Sequence, residues 1–170
     1  MPLILQPLQN QYPQIKLVLS EELTDTLLTR LAKHEIDAAL LATPVEDPDF
    51  ESMPLFEEPF WLVHPRNHLL SKKKKIMQTD LDSADLLLLA EGHCLAEQAM
   101  EVCHIHERGV RGDLADLRAA SLETLLQLVA AGFGCTLLPA LALNTVSSKD
   151  EGVHARQLQL PDTYRQVSLV

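Results

Sequence analysis

"YPQIKLVLSEELTDTLLTRLAKHEIDAALLA", residues 12–42, decides how the chain is read. "IKLVLS" (Ile15–Ser20) alternates and is rich in β-formers, the pattern of a strand. "EELTDTLLTRLAKHE" places Leu23, Leu27, Leu28 and Leu31 at helical spacing. "IDAALLA" (Ile36–Ala42) is an apolar run of the kind found in strands covered on both faces. Strand, helix and strand in this order predict a βαβ unit with parallel strands.

The same alternation continues outward. "LILQPLQNQY" reads as a short amphipathic segment ending at Pro13, and "TPVEDPDFESMP" as a turn-rich connection. A strand is expected around Pro59–His64, a short helix from the capping residues of "TDLDSA", and a buried strand in "DLLLLAEG". Residues 94–106 read as helical at first and polar later, and "ERGVRGDLADLRAA" as a loop followed by a strand. "SLETLLQLVAAGFG" is a helix that Ser121 caps and Gly132 stops in a left-handed conformation. "CTLLP" is a strand closed by Pro139, "ALALNTV" a short helix or turn, and "VHARQLQL" and "RQVSLV" are strands. Strands alternating with helices predict an α/β fold with largely parallel sheets. A break near Leu55–Trp61 divides it into two lobes: residues 1–57, then 58–164, with 165–170 returning towards the first. Ligands in such folds bind beyond strand carboxyl ends or between lobes.

The 170 residues are 46% hydrophobic, enough for a core without disulfide staples. No run of ~18 apolar residues predicts a membrane span. The opening "MPLILQPLQNQYPQ" has neither the basic start nor the cleavage site of a signal peptide, so the expected compartment is the cytoplasm, where thiols stay reduced. Net charge is −10, which disfavours direct nucleic-acid binding; Lys72–Lys75 form the one basic run and read as a solvated loop or strand-edge guard.

"EGHCLAEQAMEVCHIH", residues 91–106, carries the chemistry. Cys94, Cys103, His93, His104 and His106 are sufficient in number for zinc, but C-x8-C-H-x-H lacks the paired spacing of structural zinc sites. Buried thiol packing suits Cys135, inside an apolar strand. It does not suit Cys94, beside Gly92 and His93 at a helix start, where the positive helix end and a neighbouring histidine favour thiolate. If residues 95–102 are helical, Cys94 and Cys103 stand ~13.5 Å apart along the axis, on opposite faces. A disulfide requires Cα atoms within ~7 Å, so linking these two demands that the helix be rebuilt.

"EGHCLAEQAMEVC" resembles the redox motif of the peroxide-sensing LysR-type transcriptional regulators, and "SLETLLQLVAAGFGCTLLPALAL" their following helix and strand. "YPQIKLVLSEELTDTLLTRLAKHEIDAALLA" resembles the general LysR effector-domain opening. The resemblance implies two Rossmann-like lobes of the periplasmic-binding-protein-like LysR effector domain, with the first lobe incomplete because its opening strand, which carries another pocket threonine, is missing. The family's last helices and its DNA-binding helix-turn-helix are missing too. It matches Cys94 to the peroxide-reacting cysteine, Cys103 to its resolving partner, His93 and Thr24 to the sensing pocket, and Arg165 to a basic residue near the hinge. It implies hydrogen peroxide as the ligand, a redox-active Cys94–Cys103 disulfide, no cofactor and no metal. The partners it implies are other copies of the chain as homodimer or tetramer, thiol reductants for reset, and DNA and RNA polymerase through a full-length regulator. It implies a sensor without turnover rather than an enzyme. "HIHERGVRGDLADLR" is longer than the family's redox loop and differs from it, which points to a different sensitivity or reset speed. His104 and His106 read as exposed loop residues. The competing readings are an effector domain binding a small organic anion between lobes, for which the Ser121 helix N-terminus is suited, a peroxidatic thiol enzyme, and a zinc module.

Overall fold

The pairing of one long strand organises the molecule. In the computed structural model, which describes residues 2–82, 84–104, 118–144 and 152–170, strand β2 spans Met53–Pro65. Its first half, Met53–Pro59, pairs antiparallel with β7 (Tyr164–Leu169). Its second half pairs antiparallel with β5 (Thr136–Pro139) from Phe60 to Val63 and with β6 (Val153–Gln157) from Trp61 to Pro65. β1 (Leu40–Leu41) pairs with β7 on its other edge, also antiparallel. β2 exchanges partners between Pro59 and Phe60 while the strand itself continues.

Around the second half of β2 lies the core. Phe60, Leu62 and Val63 of β2, Leu137 and Leu138 of β5, and Leu87 are all at most 1% exposed. Each such side chain contributes about 1.5–3 kcal/mol by leaving water. β3 (Leu88–Leu89) and β4 (Arg118–Ala119) form a parallel pair beside them, extended by a parallel bridge between Leu86 and Cys135. Helices α4 (Cys94–Val102) and α5 (Leu122–Ala130) pack onto this layer. Helix α3 (Gln78–Asp82) is short; the buried Asp80 carboxylate accepts from the Met77 amide and pairs with Lys73, and these bonds hold its pKa below the usual value. Lys72–Lys75 are exposed, as expected, and Arg156 donates to the Leu70, Lys73 and Lys74 carbonyls to hold that loop in shape.

Two expectations need correction. The sheet is largely antiparallel, because β2 gathers β5, β6 and β7 by return connections, and among the described residues only β3–β4 and the Leu86–Cys135 bridge run parallel. The βαβ unit does not form as read. After α1 (Pro2–Gln11), residues 15–20 form no helix and pair with no strand among the described residues, and Ile15, Leu17, Val18 and Leu19 are exposed. Alternation supplies a face, but a strand also needs a neighbour to bond its backbone. Helix α2 (Thr24–Ala32) forms as expected, and the following run contributes only the two residues of β1, antiparallel. The strand expected around Pro59–His64 begins earlier, at Met53. Among the described residues α5, β5, β6, β7 and the 3-10 turn Ala140–Asn144 lie where expected. No helix among the described residues is long and apolar enough to cross a membrane.

Candidate functional site

Helix α4 begins at Cys94. His93 occupies its N-cap position in an extended conformation, without a side-chain capping bond, and the His93 carbonyl accepts from the Ala96 amide at 2.9 Å. Cys94 is half-buried on the first turn, at the positive end of the helix dipole. The turn into the helix depends on Gly92, whose φ of +89° is costly for any residue with a Cβ. A Cβ at Gly92 would also stand 3.2 and 3.7 Å from the two methyls of Leu23. Leu23 is the N-cap of α2, and Thr24 is the first residue of that helix, half-buried. The fold thus sets Leu23, at the start of α2, against Gly92, two residues before α4.

Cys103 is at the other end. It is the C-cap of α4, fully buried in the core, and its amide donates to the Ala99 carbonyl at 3.1 Å. No disulfide links Cys94, Cys103 or Cys135. With α4 helical throughout, the two ends of the motif are separated by the ~13.5 Å rise of nine residues. Cys135 lies in the same core, its thiol donating to the Asp85 carbonyl at 3.7 Å. Burial pushes its pKa to about 12, with smaller contributions from Cys103 and Asp85, so it stays a protonated thiol at neutral pH. His104 follows Cys103, exposed and with a positive φ of 51°; His106 and the rest of residues 105–117 lie outside the described residues. Among the described residues no group of three or more His, Cys, Asp and Glu is gathered as a metal site requires.

Arg165 sits on β7 opposite Glu58 of β2. Its Nε and Nη2 both donate to Glu58 Oε2 at 2.9 Å, and the Leu141 amide donates to Glu58 Oε1 at 2.7 Å, so this buried carboxylate is fully engaged. Arg165 Nη1 points the other way and donates to Gln98 Oε1 of α4 at 3.5 Å. Gln98 Nε2 in turn donates to the Ala42 carbonyl beyond β1 at 2.8 Å. The sequence reading missed Glu58 and Gln98. For Gln98 a signal was present: it is four residues after Cys94, on the same helix face. Ser121 does cap α5, accepting from the Thr124 amide at 3.2 Å, and Gly132 ends that helix with φ +88°.

This fold has relatives. The LysR substrate binding domain family matches residues 1–170, and the chain belongs to that family. Within it the chain is similar to OxyR. It is 38% identical over all 170 residues to a probable hydrogen peroxide-inducible genes activator of Mycobacterium avium, covering 54% of that protein. It is 37% identical over 170 residues to the DNA-binding transcriptional dual regulator OxyR of Escherichia coli K12, again covering 54%. The chain therefore spans about half the length of the curated relatives it matches. Among solved structures, a hydrogen peroxide-bound Corynebacterium glutamicum OxyR mutant gives a TM-score of 0.86 at 30% identity, covering 99% of this chain and 52% of that one. The reduced OxyR regulatory domain of Pseudomonas aeruginosa gives 0.83 at 30% identity, covering 99% and 80%. The periplasmic-binding-protein-like LysR fold expected from sequence is the fold of these relatives.

Proposed function

We propose that the chain is the redox-sensing regulatory domain of a LysR-type transcriptional regulator, responsive to hydrogen peroxide. The observation that carries this reading is α4 itself, with Cys94 on its first turn, half-exposed at the positive end, and Cys103 buried at its last. In the proposed chemistry the Cys94 thiolate attacks one peroxide oxygen. The O–O bond breaks, and the other oxygen leaves as hydroxide and takes up a proton. Thr24, His93 and, through the α4 face, Arg165 serve the peroxide-binding site, and the N–H groups of the helix start stabilise charge on the leaving oxygen. The Cys94 sulfenic acid then condenses with the Cys103 thiol, forming the S–S bond and releasing water. That bond cannot close on an intact α4, so residues ~95–112 refold.

The refolded surface changes packing between copies of the chain, and in a full-length regulator this repositions DNA-binding domains and contacts with RNA polymerase. Thiol–disulfide exchange with cellular reductants resets the switch. The lobes of this reading are residues 1–57 and 58–164, with 165–170 returning to the first. It is a sensor that reacts once per reset and not a turnover catalyst. Similarity to a peroxide-bound OxyR supports it.

The test is disulfide mapping. Reduced protein is treated with one equivalent of peroxide, digested and analysed by mass spectrometry. A Cys94–Cys103 link that is lost in Cys94→Ser supports the reading. Unlinked sulfurs together with thermal stabilisation by a small organic acid would favour an anion-binding effector domain, and repeated peroxide consumption with a thiol reductant would make it a peroxidase.

A further inference from the structure

One chain of hydrogen bonds crosses the molecule at α4. From the Ala42 carbonyl it runs through the Gln98 amide to the Arg165 guanidinium, then to the Glu58 carboxylate and the Leu141 amide. Gln98 is its only member on the redox helix. Both ends of its amide are used in the one orientation the partners allow: the NH2 faces a carbonyl oxygen and the oxygen faces a guanidinium. A flipped amide would oppose oxygen to oxygen and N–H to N–H.

Gln98 also sits at the mechanical centre of the thiol pair, four residues after Cys94 and five before Cys103. Bringing the two Cα atoms from ~13.5 Å of helical rise to within ~7 Å requires the backbone to leave its helical path between them. A side chain carried on that backbone cannot keep a 2.8 Å bond to a fixed carbonyl.

The far partner is weakly held otherwise. β1 is two residues long and joined to β7 through Leu40–Leu169 and Leu41–Ser168, with Ala39 and Val170 exchanging both backbone bonds. Ala42 ends that segment and leads into residues 43–52, which contain no helix or strand.

We propose that Gln98 is a latch: a positioning residue that couples the state of the Cys94–Cys103 pair to the β1–β7 junction. In the thiol state it ties α4 to Ala42 and to Arg165. When the disulfide closes, both bonds are lost, the Ala42 end of β1 is released, and Arg165 keeps only Glu58. The proposal rests on the disulfide reading above and adds to it the route by which the helix is felt at the junction of the two halves.

Hydrogen exchange by mass spectrometry tests it on the whole chain, reduced and peroxide-oxidised, with disulfide content measured on the same samples. In the wild type, oxidation is expected to speed exchange in a peptide covering residues 39–45 by roughly 5-fold, the scale of one lost hydrogen bond in local opening. In Gln98→Leu that peptide is expected to exchange fast already when reduced, with oxidation adding less than about 2-fold, while the disulfide closes at least as fast. Gln98→Glu keeps the contact with Arg165 but loses the donor to Ala42, and is expected to behave like Gln98→Leu at residues 39–45. The latch is overturned if the wild-type disulfide forms and residues 39–45 exchange unchanged, or if both variants respond to oxidation as the wild type does. Absence of any Cys94–Cys103 link in the wild type instead overturns the disulfide reading and the latch with it.

Discussion

Helices α4 and α5 are each nine residues long, lie on the same core and differ in how firmly they are fastened. α5 has a capping serine, a glycine stop and three large or branched buried residues, Leu125, Leu126 and Val129. α4 has no side-chain cap, and two of its three buried residues, Ala96 and Ala99, are small; Leu95 is the third. The difference teaches where a fold can afford to change. Rebuilding α5 would expose more large apolar side chain and forfeit both end caps, whereas α4 has no capping side chain to surrender.

Core truncation exposes the contrast most strongly. Leu125→Ala in α5 is expected to cost about 2–5 kcal/mol in denaturant unfolding, while Ala99→Gly in α4 costs about 1 kcal/mol, mostly from helix propensity. Equal losses would remove the distinction between the helices. The next effect is at the entrance to α4. Gly92→Ala places a Cβ at φ +89° and within 3.2 Å of Leu23, at a cost of about 1–2 kcal/mol. It also shifts Leu23 and Thr24 relative to Cys94, so peroxide-driven disulfide formation should slow in stopped oxidation assays. The caps follow: Ser121→Ala should cost about 1 kcal/mol, and His93→Ala, which removes no capping bond, less than about 0.5 kcal/mol.

The smallest effect concerns Cys135. Iodoacetamide at neutral pH should label Cys94 and leave Cys135 unmodified, because burial holds its pKa near 12. The folded-state pKa is raised, so the stability Cys135 contributes is complete below the ordinary thiol pKa and is lost as pH rises from there towards 12. His64 works at the other end of the scale. Its Nδ1 lies 2.8 Å from the Pro65 carbonyl and its buried Nε2 has no partner among the described residues. Burial first, then the charges of His68, His154 and Arg156, lower its pKa, so its contribution is present above the ordinary histidine pKa and fades as pH falls below it.

What the sequence made legible follows from how local each signal is. α5 was readable because its cap, periodicity and glycine stop lie within twelve consecutive residues. The first half of β2 was not, because Pro54, Glu57 and Glu58 look like turn or surface residues until β7 pairs with them and Arg165 meets Glu58 across 107 positions of chain. Residues 15–20 were misread for the opposite reason: their pattern is strand-like, but no neighbour among the described residues pairs with them. At the candidate site, Cys94, Cys103 and His93 stand out in the sequence as a motif, and Gln98 does not. Its partners Ala42 and Arg165 lie 56 and 67 residues away and only the fold brings them to it.

The most direct measurement is amide hydrogen exchange along α4 and α5 in the reduced and the peroxide-oxidised protein. Disulfide closure should strip protection from residues 95–103 and leave residues 122–130 as slow as before. Oxidised protein that carries the Cys94–Cys103 bond yet keeps α4 fully protected would contradict the incompatibility of that bond with the helix.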